Sequence, residues 1–466
     1  MGKMRKERDF LGELEVPAEA YYGVQTRRAA ENFRISGLRQ CREFTRAMAE
    51  VKKAAARAHK NLGALELRIA EAIAEAADEV IAGKFDEQFV VDVFQAGAGT
   101  SAHMNMNEVL ANRACELLGG ERGTYDPVHP NDHVNMGQST NDVYPTSMRL
   151  AALFKLPALL DSMNRLSDAL ERKAVEFAGI VKSGRTHLQD AVPVTLGQEF
   201  GAYALTVRRA ALQIGEGCSP LRELGIGGSA TGTGLNTQPG YRTLVIGYLA
   251  DQTGENLKGA PDLFEAMQSM APFVRASSAL RSAAVELGRI AGDLRLLSSG
   301  PTTGLAEITL PAVQPGSTIM PGKVNPVIPE CMNMICFQVM GGDACIAAAA
   351  GAGQLELNVM MPVIAHNLLW SMDILGNGAA MLAEKCVEGI EANPGRCAAY
   401  IAGSVGLATV LNPVIGYHRA AEVARKAAES GRTVRQVVLE EGILSEEELD
   451  RLLAQSLRPR LPDADE

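Results

Sequence analysis

Residues 144–180 read YPTSMRLAALFKLPALLDSMNRLSDALERKAVEFAGI, and the spacing of their apolar positions decides the fold class. Apart from an interruption at Lys173, apolar side chains recur every three or four residues: Leu156, Leu159, Met163, Leu166, Leu170 and Phe177. A second series keeps this spacing without a break: Leu280, Ala283, Leu287, Ile290, Leu294 and Leu297. Because this period places apolar side chains on one face of an α-helix, both stretches predict long helices packed lengthwise on others.

The remaining sequence favours an all-α protein with a long central helical bundle and smaller N- and C-terminal domains. Alternating strand patterns are scarce, and glycine-rich loops at 225–240 and 300–322 separate the helical stretches. A chain of 466 residues is long enough for about three domains. We therefore expect an N-terminal domain over 1–141, a central helix-bundle domain over 142–395 and a small C-terminal helical domain over 396–466.

Two shorter helices can be predicted from local signals. The first covers Phe44–Leu62. The second covers Ser445–Ser456, where Ser445 is a suitable N-cap and Glu448, three residues later, completes a capping box. The charged tail at 457–466 is predicted to be disordered.

Composition excludes several classes of function. The net charge of −10 argues against a nucleic-acid-binding surface, which would be basic. The start, MGKMRKERDF, lacks the apolar run of a secretory signal. The sequence contains no window of 18 uninterrupted apolar residues, so no membrane span is predicted. The eight cysteines include no C-x-x-C pair and no zinc-finger spacing, which indicates free thiols, no metal site and a cytoplasmic location.

Three polar segments in the first half of the chain could bind a ligand. The segments around 97–107 and 131–142 contain short uncharged donors that suit a carboxylate: Thr100, Ser101, Ser139, Thr140 and Asn141. The last three could instead be ordinary caps at the start of the first long helix, where free N–H groups also attract anions. The third segment, 184–190, places Thr186 and His187 in a loop between helices, with either a structural or a catalytic role.

The fourth segment, GSTIMPGKVNP at 316–326, reads as a flexible loop with two hydroxyls, one cation and one amide: Ser317, Thr318, Lys323 and Asn325. It is not a phosphate-binding P-loop, because five residues separate Gly316 from Gly322 and Val324 follows the lysine. The glycine-rich run at 225–240 contains no G-x-G-x-x-G. The sequence therefore predicts a carboxylate-binding set, a mobile loop and no cofactor.

This fourth segment resembles the signature loop of the aspartase/fumarase superfamily, G-S-S-x-M-P-x-K-x-N-P, with Thr318 in place of the second serine. The other three segments resemble the remaining active-site regions of that superfamily in order and spacing. The similarity covers roughly residues 7–455 and is closest to the aspartases, on GAGTS at 97–101, QSTN at 138–141 and VIPE at 327–330. Residues 104–123 are more similar to fumarases.

The resemblance implies a carbon–nitrogen lyase that deaminates L-aspartate to fumarate and ammonia. Ser317 would remove a Cβ proton and give an aci-carboxylate dianion, which Thr100, Ser139, Thr140 and Thr318 would stabilise. Lys323 and Asn325 would hold the α-carboxylate, while Asn141, Thr186 and His187 would surround the leaving amino group. It also implies a homotetramer whose active sites are shared between subunits.

Two departures from the aspartase pattern bear on the substrate: Thr302 stands where an arginine is usual, and Met361 where a glutamate is usual. The alternatives are a class II fumarase, which uses water in place of ammonia, another dicarboxylate lyase of the superfamily, and a catalytically silent protein on the same scaffold. The silent protein is disfavoured by the joint retention of five candidate residues: Ser317, Lys323, Asn325, Thr186 and His187.

Overall fold

The computed structural model describes residues 3–457 and confirms the all-α class, with 63% of the chain helical. The helices are α1 (Val24–Asn32), α2 (Arg42–Asn61), α3 (Leu67–Ile81), α4 (Thr100–Leu117), α5 (Thr140–Glu176), α6 (Leu196–Cys218), α7 (Tyr241–Thr253), α8 (Leu263–Gln268), α9 (Ala271–Leu297), α10 (Val327–Gly351), α11 (Met361–Lys385), α12 (Pro394–Gly403), α13 (Asn412–Ile415), α14 (Tyr417–Ser430), α15 (Val434–Glu440) and α16 (Glu446–Ser456).

Short strands form two-stranded sheets beside these helices. The strands are β1 (Met4–Asp9), β2 (Gly12–Pro17), β3 (Val181–Thr186), β4 (Gln189–Thr195), β5 (Glu223–Leu224), β6 (Lys258–Gly259), β7 (Ile308–Thr309) and β8 (Glu391–Ala392). Three pairs, β1–β2, β3–β4 and β7–β8, are antiparallel, whereas β5 and β6 are parallel. The strands are too short to form a core of their own.

The two apolar series lie on long helices, as predicted. The first series lies on α5, except that Phe177 is buried one residue beyond the end of that helix. The second lies on α9, where Leu287, Ile290 and Leu294 are fully buried. The predicted helices at Phe44–Leu62 and Ser445–Ser456 correspond to α2 and α16, and Ser445 and Glu448 form the capping box. Of the predicted disordered tail, 458–466 lies outside the described residues.

The chain divides into two compact units that do not follow its order. Among the described residues, unit 1 contains 3–161, 212–284 and 336–376, and unit 2 contains 162–211, 285–335 and 377–457. The five longest helices, α5, α6, α9, α10 and α11, each contribute a part to both units. The three predicted domains, with boundaries at 141 and 395, are instead continuous in sequence. This division stays a prediction.

Helix α10 is long and apolar enough to cross a membrane by length and composition, and α12 with the segment after it forms a bent pair that passes the same test. Core helices of helical bundles meet this criterion equally well. Only 28% of the apolar window in α10 is buried within the chain. Most of this apolar window is therefore exposed in the single chain.

Candidate active site

The start of α5 gathers three of the predicted ligand-binding residues. Ser139 precedes the helix, and Thr140 and Asn141 form its first turn. The Ser139 hydroxyl oxygen accepts a hydrogen bond from the Asn141 N–H at 3.2 Å. Ser139 therefore acts as a helix cap, and its role towards a ligand stays a prediction. Free N–H groups and the helix dipole still make this turn a favourable place for an anion.

Thr100 opens α4 and meets the start of α5. Its Oγ1 lies 3.2 Å from Thr140 Oγ1 and donates a hydrogen bond to the Gly97 carbonyl at 2.6 Å. Gly99 allows this approach, because it has a φ of +98° and a Cβ there would lie 2.2 Å from the ring of Tyr144. The structure thus brings together two hydroxyls that are forty residues apart in sequence, with Ser101 half-buried next to Thr100.

Asp142, which the sequence analysis did not select, fixes the glycine-rich loop against α5. It is fully buried, and its carboxylate accepts hydrogen bonds from the N–H groups of Ser139, Gly227 and Ser229, each at 3.0 Å. Burial raises the pKa of Asp142 to about 6, against the lowering effect of these hydrogen bonds. The side-chain amide of Asn141 extends the contact by donating to the Ala230 carbonyl at 2.7 Å.

A buried lysine–histidine pair lies behind Thr140 and was also missed. His103 Nδ1 lies 2.8 Å from Thr140 Oγ1, and Lys52 Nζ lies 2.6 Å from His103 Nε2. Burial lowers the pKa of both side chains well below their ordinary values. The available signal was the position of His103 on α4, three residues after Thr100 and therefore on the same face of the helix.

The sequence analysis placed Thr186 and His187 in a simple loop between helices. They lie instead at the tip of a β-hairpin. Thr186 ends β3, and His187 and Leu188 form the two-residue turn, with φ values of +55° and +59°. Left-handed backbone at two non-glycine residues is strained, and such strain is common at functional sites. All three side chains are exposed. The error arose because these strands lack a clear alternating pattern.

The base of this hairpin is held by a buried ion-pair network. Glu307 is fully buried, and Arg185 Nη1 contacts both of its carboxylate oxygens, at 2.9 and 3.0 Å. Lys182 Nζ contacts Glu307 at 2.6 Å and Glu199 at 2.8 Å. Removing one member of such a buried network leaves an uncompensated charge. Arg185 is therefore a structural residue that supports the hairpin.

The signature loop places two backbone donors on Ser317. The Ser317 hydroxyl oxygen accepts hydrogen bonds from the N–H groups of Ile319 at 3.2 Å and Met320 at 3.0 Å. Hydrogen bonds to an oxygen stabilise its anionic form and so favour deprotonation. Ser317 is half-buried, whereas Thr318 beside it is exposed.

The same loop closes on itself through hydrogen bonds to two of its own backbone carbonyls. The Gly316 N–H donates to the Lys323 carbonyl at 2.8 Å, and the Asn325 side chain donates to the Gly316 carbonyl at 2.6 Å. A Cβ on Gly316 would lie 2.5 Å from the Lys323 carbonyl oxygen, so only glycine fits. Among residues 3–457, nothing forms a hydrogen bond or ion pair with the Lys323 ammonium, which is exposed and available to an anion.

The candidate residues form three groups. Unit 1 holds the group at the start of α4 and α5: Thr100, Ser101, Ser139, Thr140 and Asn141. Unit 2 holds the hairpin tip with Thr186 and His187, and the signature loop with Ser317, Thr318, Lys323 and Asn325. Within the described chain, no hydrogen bond joins the hairpin tip to the loop.

The two departures lie in contrasting surroundings. Met361 is fully buried at the first position of α11, where it adds to an apolar core. Thr302 is exposed in the segment between α9 and α10. No group of three metal-ligating side chains occurs in the part of the chain that the structure describes.

Comparison with known proteins matches most of the chain to two families. A family described as "Lyase" matches residues 12–341, and one described as "Fumarase C C-terminus" matches residues 407–456. An aspartate ammonia-lyase of Helicobacter pylori is 50% identical over 449 residues, which cover 96% of each chain.

Two solved structures are similar over nearly the full length. A fumarate lyase:delta crystallin from Brucella melitensis, in a crystal structure with cobalt bound, superposes with a TM-score of 0.95 at 51% identity, covering 99% of this chain and 100% of that one. A class II fumarase from Schistosoma mansoni superposes with a TM-score of 0.92 at 37% identity, covering 97% and 98%.

Proposed function

The chain belongs to the aspartase/fumarase superfamily, and we infer that it is an aspartate ammonia-lyase, a carbon–nitrogen lyase that converts L-aspartate reversibly to fumarate and ammonia. The observation that carries this inference is the identity of about 50% to aspartate ammonia-lyases over 96–97% of the chain. The fumarase from Schistosoma mansoni is more distant, at 37%. The higher identity to the aspartate ammonia-lyases than to this fumarase therefore favours ammonia over water as the leaving group.

Ser317 is the proposed general base that removes the Cβ proton of L-aspartate. A serine hydroxyl is a weak base at neutral pH, and it needs an environment that favours its ionised form. The N–H groups of Ile319 and Met320 supply two hydrogen bonds to that oxygen. The exposed Lys323 ammonium, six residues further on, adds a positive charge to the same loop.

The hydroxyls at the start of α4 and α5 are the proposed site for the β-carboxylate. Loss of the Cβ proton converts this carboxylate into an aci-carboxylate with two negative charges. Thr100, Ser139 and Thr140, with Thr318 from the signature loop, would donate hydrogen bonds that strengthen as this charge grows. Fixed donors aimed at developing charge lower the barrier to the reaction more than they strengthen substrate binding.

The remaining residues are proposed to hold the other end of the substrate. Lys323 and Asn325 would bind the α-carboxylate, with Asn141, Thr186 and His187 around the departing amine. Asn325 already donates to the Gly316 carbonyl, so binding a carboxylate requires its amide to share or exchange that contact. His187 is exposed on a strained turn, where a substrate can reach it.

We propose that the enzyme is a cytoplasmic homotetramer with active sites shared between subunits. Helix α10 supports this assembly, because Met334 and Phe337 on it are 63% and 64% exposed in the single chain. Exposed apolar surface on a long helix is typical of a helix–helix interface. Phe337→Glu should therefore yield smaller, inactive species in light scattering, whereas Phe10→Glu, at a surface turn, should remain a tetramer. A wild-type monomer would contradict this assembly.

The reaction can be tested by following fumarate absorbance with L-aspartate and L-malate in parallel. We expect fumarate from aspartate only, and none from Ser317→Ala. Fumarate from malate only would move the assignment to a fumarase. If neither substrate reacts, the substrate is a different amino or hydroxy dicarboxylate. Thr302 and Met361, the two departures from the aspartase pattern, are then the first residues to examine for its selection.

A further inference from the structure

Three hydrogen-bond acceptors surround the buried ammonium group of Lys52. Its Nζ lies 2.6 Å from His103 Nε2 and 2.9 Å from both Asn135 Oδ1 and Gln138 Oε1. Lys52 is 0% exposed, and burying such a cation is costly unless its N–H groups are all paired. An ammonium has three N–H donors and no acceptor, so the three surrounding atoms match its charged form.

The two amides are oriented independently of Lys52. The Asn135 Nδ2 donates to the Gln138 carbonyl at 3.2 Å, and the Gln138 Nε2 donates to the carbonyls of Val134 at 3.1 Å and Met136 at 3.2 Å. Both amide nitrogens are thereby turned towards the backbone, and both oxygens face Lys52. The nearby carboxylate of Asp142 also favours the charged form of the lysine.

This arrangement gives the chain of hydrogen bonds a direction. Because the charged form of Lys52 can only donate, His103 Nε2 must then accept, and the imidazole carries its proton on Nδ1. That proton points to Thr140 Oγ1 at 2.8 Å. The hydroxyl proton of Thr100 is engaged by the Gly97 carbonyl, so the contact between the two threonine oxygens has Thr140 as donor.

We propose that Lys52 and His103 are positioning residues, which fix the Thr140 hydroxyl with its proton facing outward as a ready donor to the substrate carboxylate. The inference rests on the proposed role of Thr140 in carboxylate binding. His103 occupies one lone pair of the Thr140 oxygen and leaves its O–H group free to turn from Thr100 to the substrate. The oxyanion donor is then oriented before the negative charge develops.

The hydrogen bonds from Lys52 through His103 to Thr140 would reverse their direction if Lys52 lost its proton. A neutral Lys52 would donate only two hydrogen bonds, to Asn135 and Gln138, and would accept from His103 Nε2. The imidazole Nδ1 would then take the Thr140 proton, and Thr140 would face the substrate with lone pairs. Burial lowers the pKa of Lys52, so the donor orientation is lost at a lower pH than an exposed lysine would allow. His103 and Asp142 are the titratable groups that face this amine.

Kinetics can separate this role from simple packing. Thr140→Val should lower kcat/KM about 100-fold, as for loss of one oxyanion donor. His103→Leu should lower it about 10-fold, and the double variant should be no worse than Thr140→Val alone, because His103 acts only through that hydroxyl. His103→Asn, whose Nδ2 can replace the Nδ1–H donor, should restore most of the activity. Losses that multiply to about 1000-fold would overturn the proposal.

A matched control guards against a general effect of removing a buried histidine. His59 is also buried, on α2. Its Nε2 contacts the Met136 carbonyl at 2.7 Å, which also accepts from Gln138, but His59 forms no hydrogen bond with Lys52, His103 or Thr140. His59→Leu should leave kcat/KM within about twofold of wild type once folding is confirmed by circular dichroism. A loss equal to that of His103→Leu would show that the effect is structural and would defeat the proposal.

The tautomer can be read directly, without any turnover. Solid-state NMR of wild-type protein labelled with ¹⁵N-histidine should show His103 with Nδ1 protonated and Nε2 bare, the signal being assigned by its absence from His103→Asn. A proton on Nε2 would overturn the proposal. A wild-type enzyme that releases no fumarate from aspartate would defeat the proposed function instead, while the NMR result would still decide the direction of the hydrogen bonds.

Discussion

The start of α5 and the signature loop differ in what holds them in place. At the start of α5, Thr140 and Asp142 are buried, and their hydrogen bonds extend to residues on α4 and in the glycine-rich loop. In the signature loop, the hydrogen bonds of Ser317 and Asn325 stay within the loop, and Lys323 is exposed. Changes in the first region should therefore affect both stability and rate, whereas changes in the loop should affect rate alone.

The largest expected effect comes from the proposed base. Ser317→Ala should lower kcat by about 10³–10⁴-fold, in the upper range for loss of a general base, with no change in thermal stability because the loop lies outside the core. Stopped assays of fumarate formation and a melting curve test both parts. Ser298→Ala, at a half-buried position directly after α9, should retain full activity. A lower melting temperature for Ser317→Ala would contradict the expectation that changes in the signature loop affect the rate alone.

The next effect concerns Asp142, whose burial costs stability. Its pKa rises from 3.8 to about 6 on folding, so the folded state binds more protons than the unfolded state between these values. The contribution of this group to the free energy of unfolding should therefore fall by about 3 kcal/mol as the pH rises from 3.8 to 6, and stay constant above 6.

Asp142→Asn tests this assignment. The variant should lack that part of the pH dependence in urea unfolding at pH 4 to 7. It should also be less stable than wild type by about 2 kcal/mol at pH 7. An asparagine has only one oxygen, so its amide nitrogen would face a backbone N–H group that now lacks an acceptor. Asp168→Asn, exposed on the same helix, should change neither quantity. An unchanged slope for Asp142→Asn would contradict the buried ionisation.

A smaller effect is expected at the closure of the loop. Gly316→Ala would place a Cβ 2.5 Å from the Lys323 carbonyl oxygen and so displace the segment that carries Ser317. We expect kcat to fall about 10-fold, since small misplacements of reacting groups are costly, with unchanged stability. Gly292→Ala, in α9 with no heavy atom within 4 Å of the added carbon, is the control. Equal activities would show that the loop tolerates displacement.

The smallest effect is expected at the hairpin tip. Leu188 is 69% exposed and has a φ of +59°, so Leu188→Gly should raise stability by about 0.5–1 kcal/mol through relief of backbone strain. Leu188→Ala removes the same side chain without relieving the strain, and should give no such gain. Urea unfolding measures both. A gain for alanine equal to that for glycine would assign the effect to the side chain.

Several features followed directly from the sequence because they depend on local patterns. The three-to-four spacing predicted α5 and α9, and the capping box at Ser445 predicted α16, since these signals come from neighbouring turns of one helix. The hairpin at Thr186 was missed, because its strands are short and do not alternate. The roles assigned to Ser317, Lys323 and the other candidate residues stay predictions.

By itself, the sequence determined the helical class, the order of the four polar segments and the membership of the superfamily. Only the tertiary structure decided which buried polar groups meet. Lys52 and His103 are 51 residues apart, and His103 and Thr140 are 37 apart. Nothing in the sequence indicates that these three side chains contact one another. Their shared function follows from burial, because a desolvated cation must find acceptors and in doing so sets the direction of every hydrogen bond beyond it.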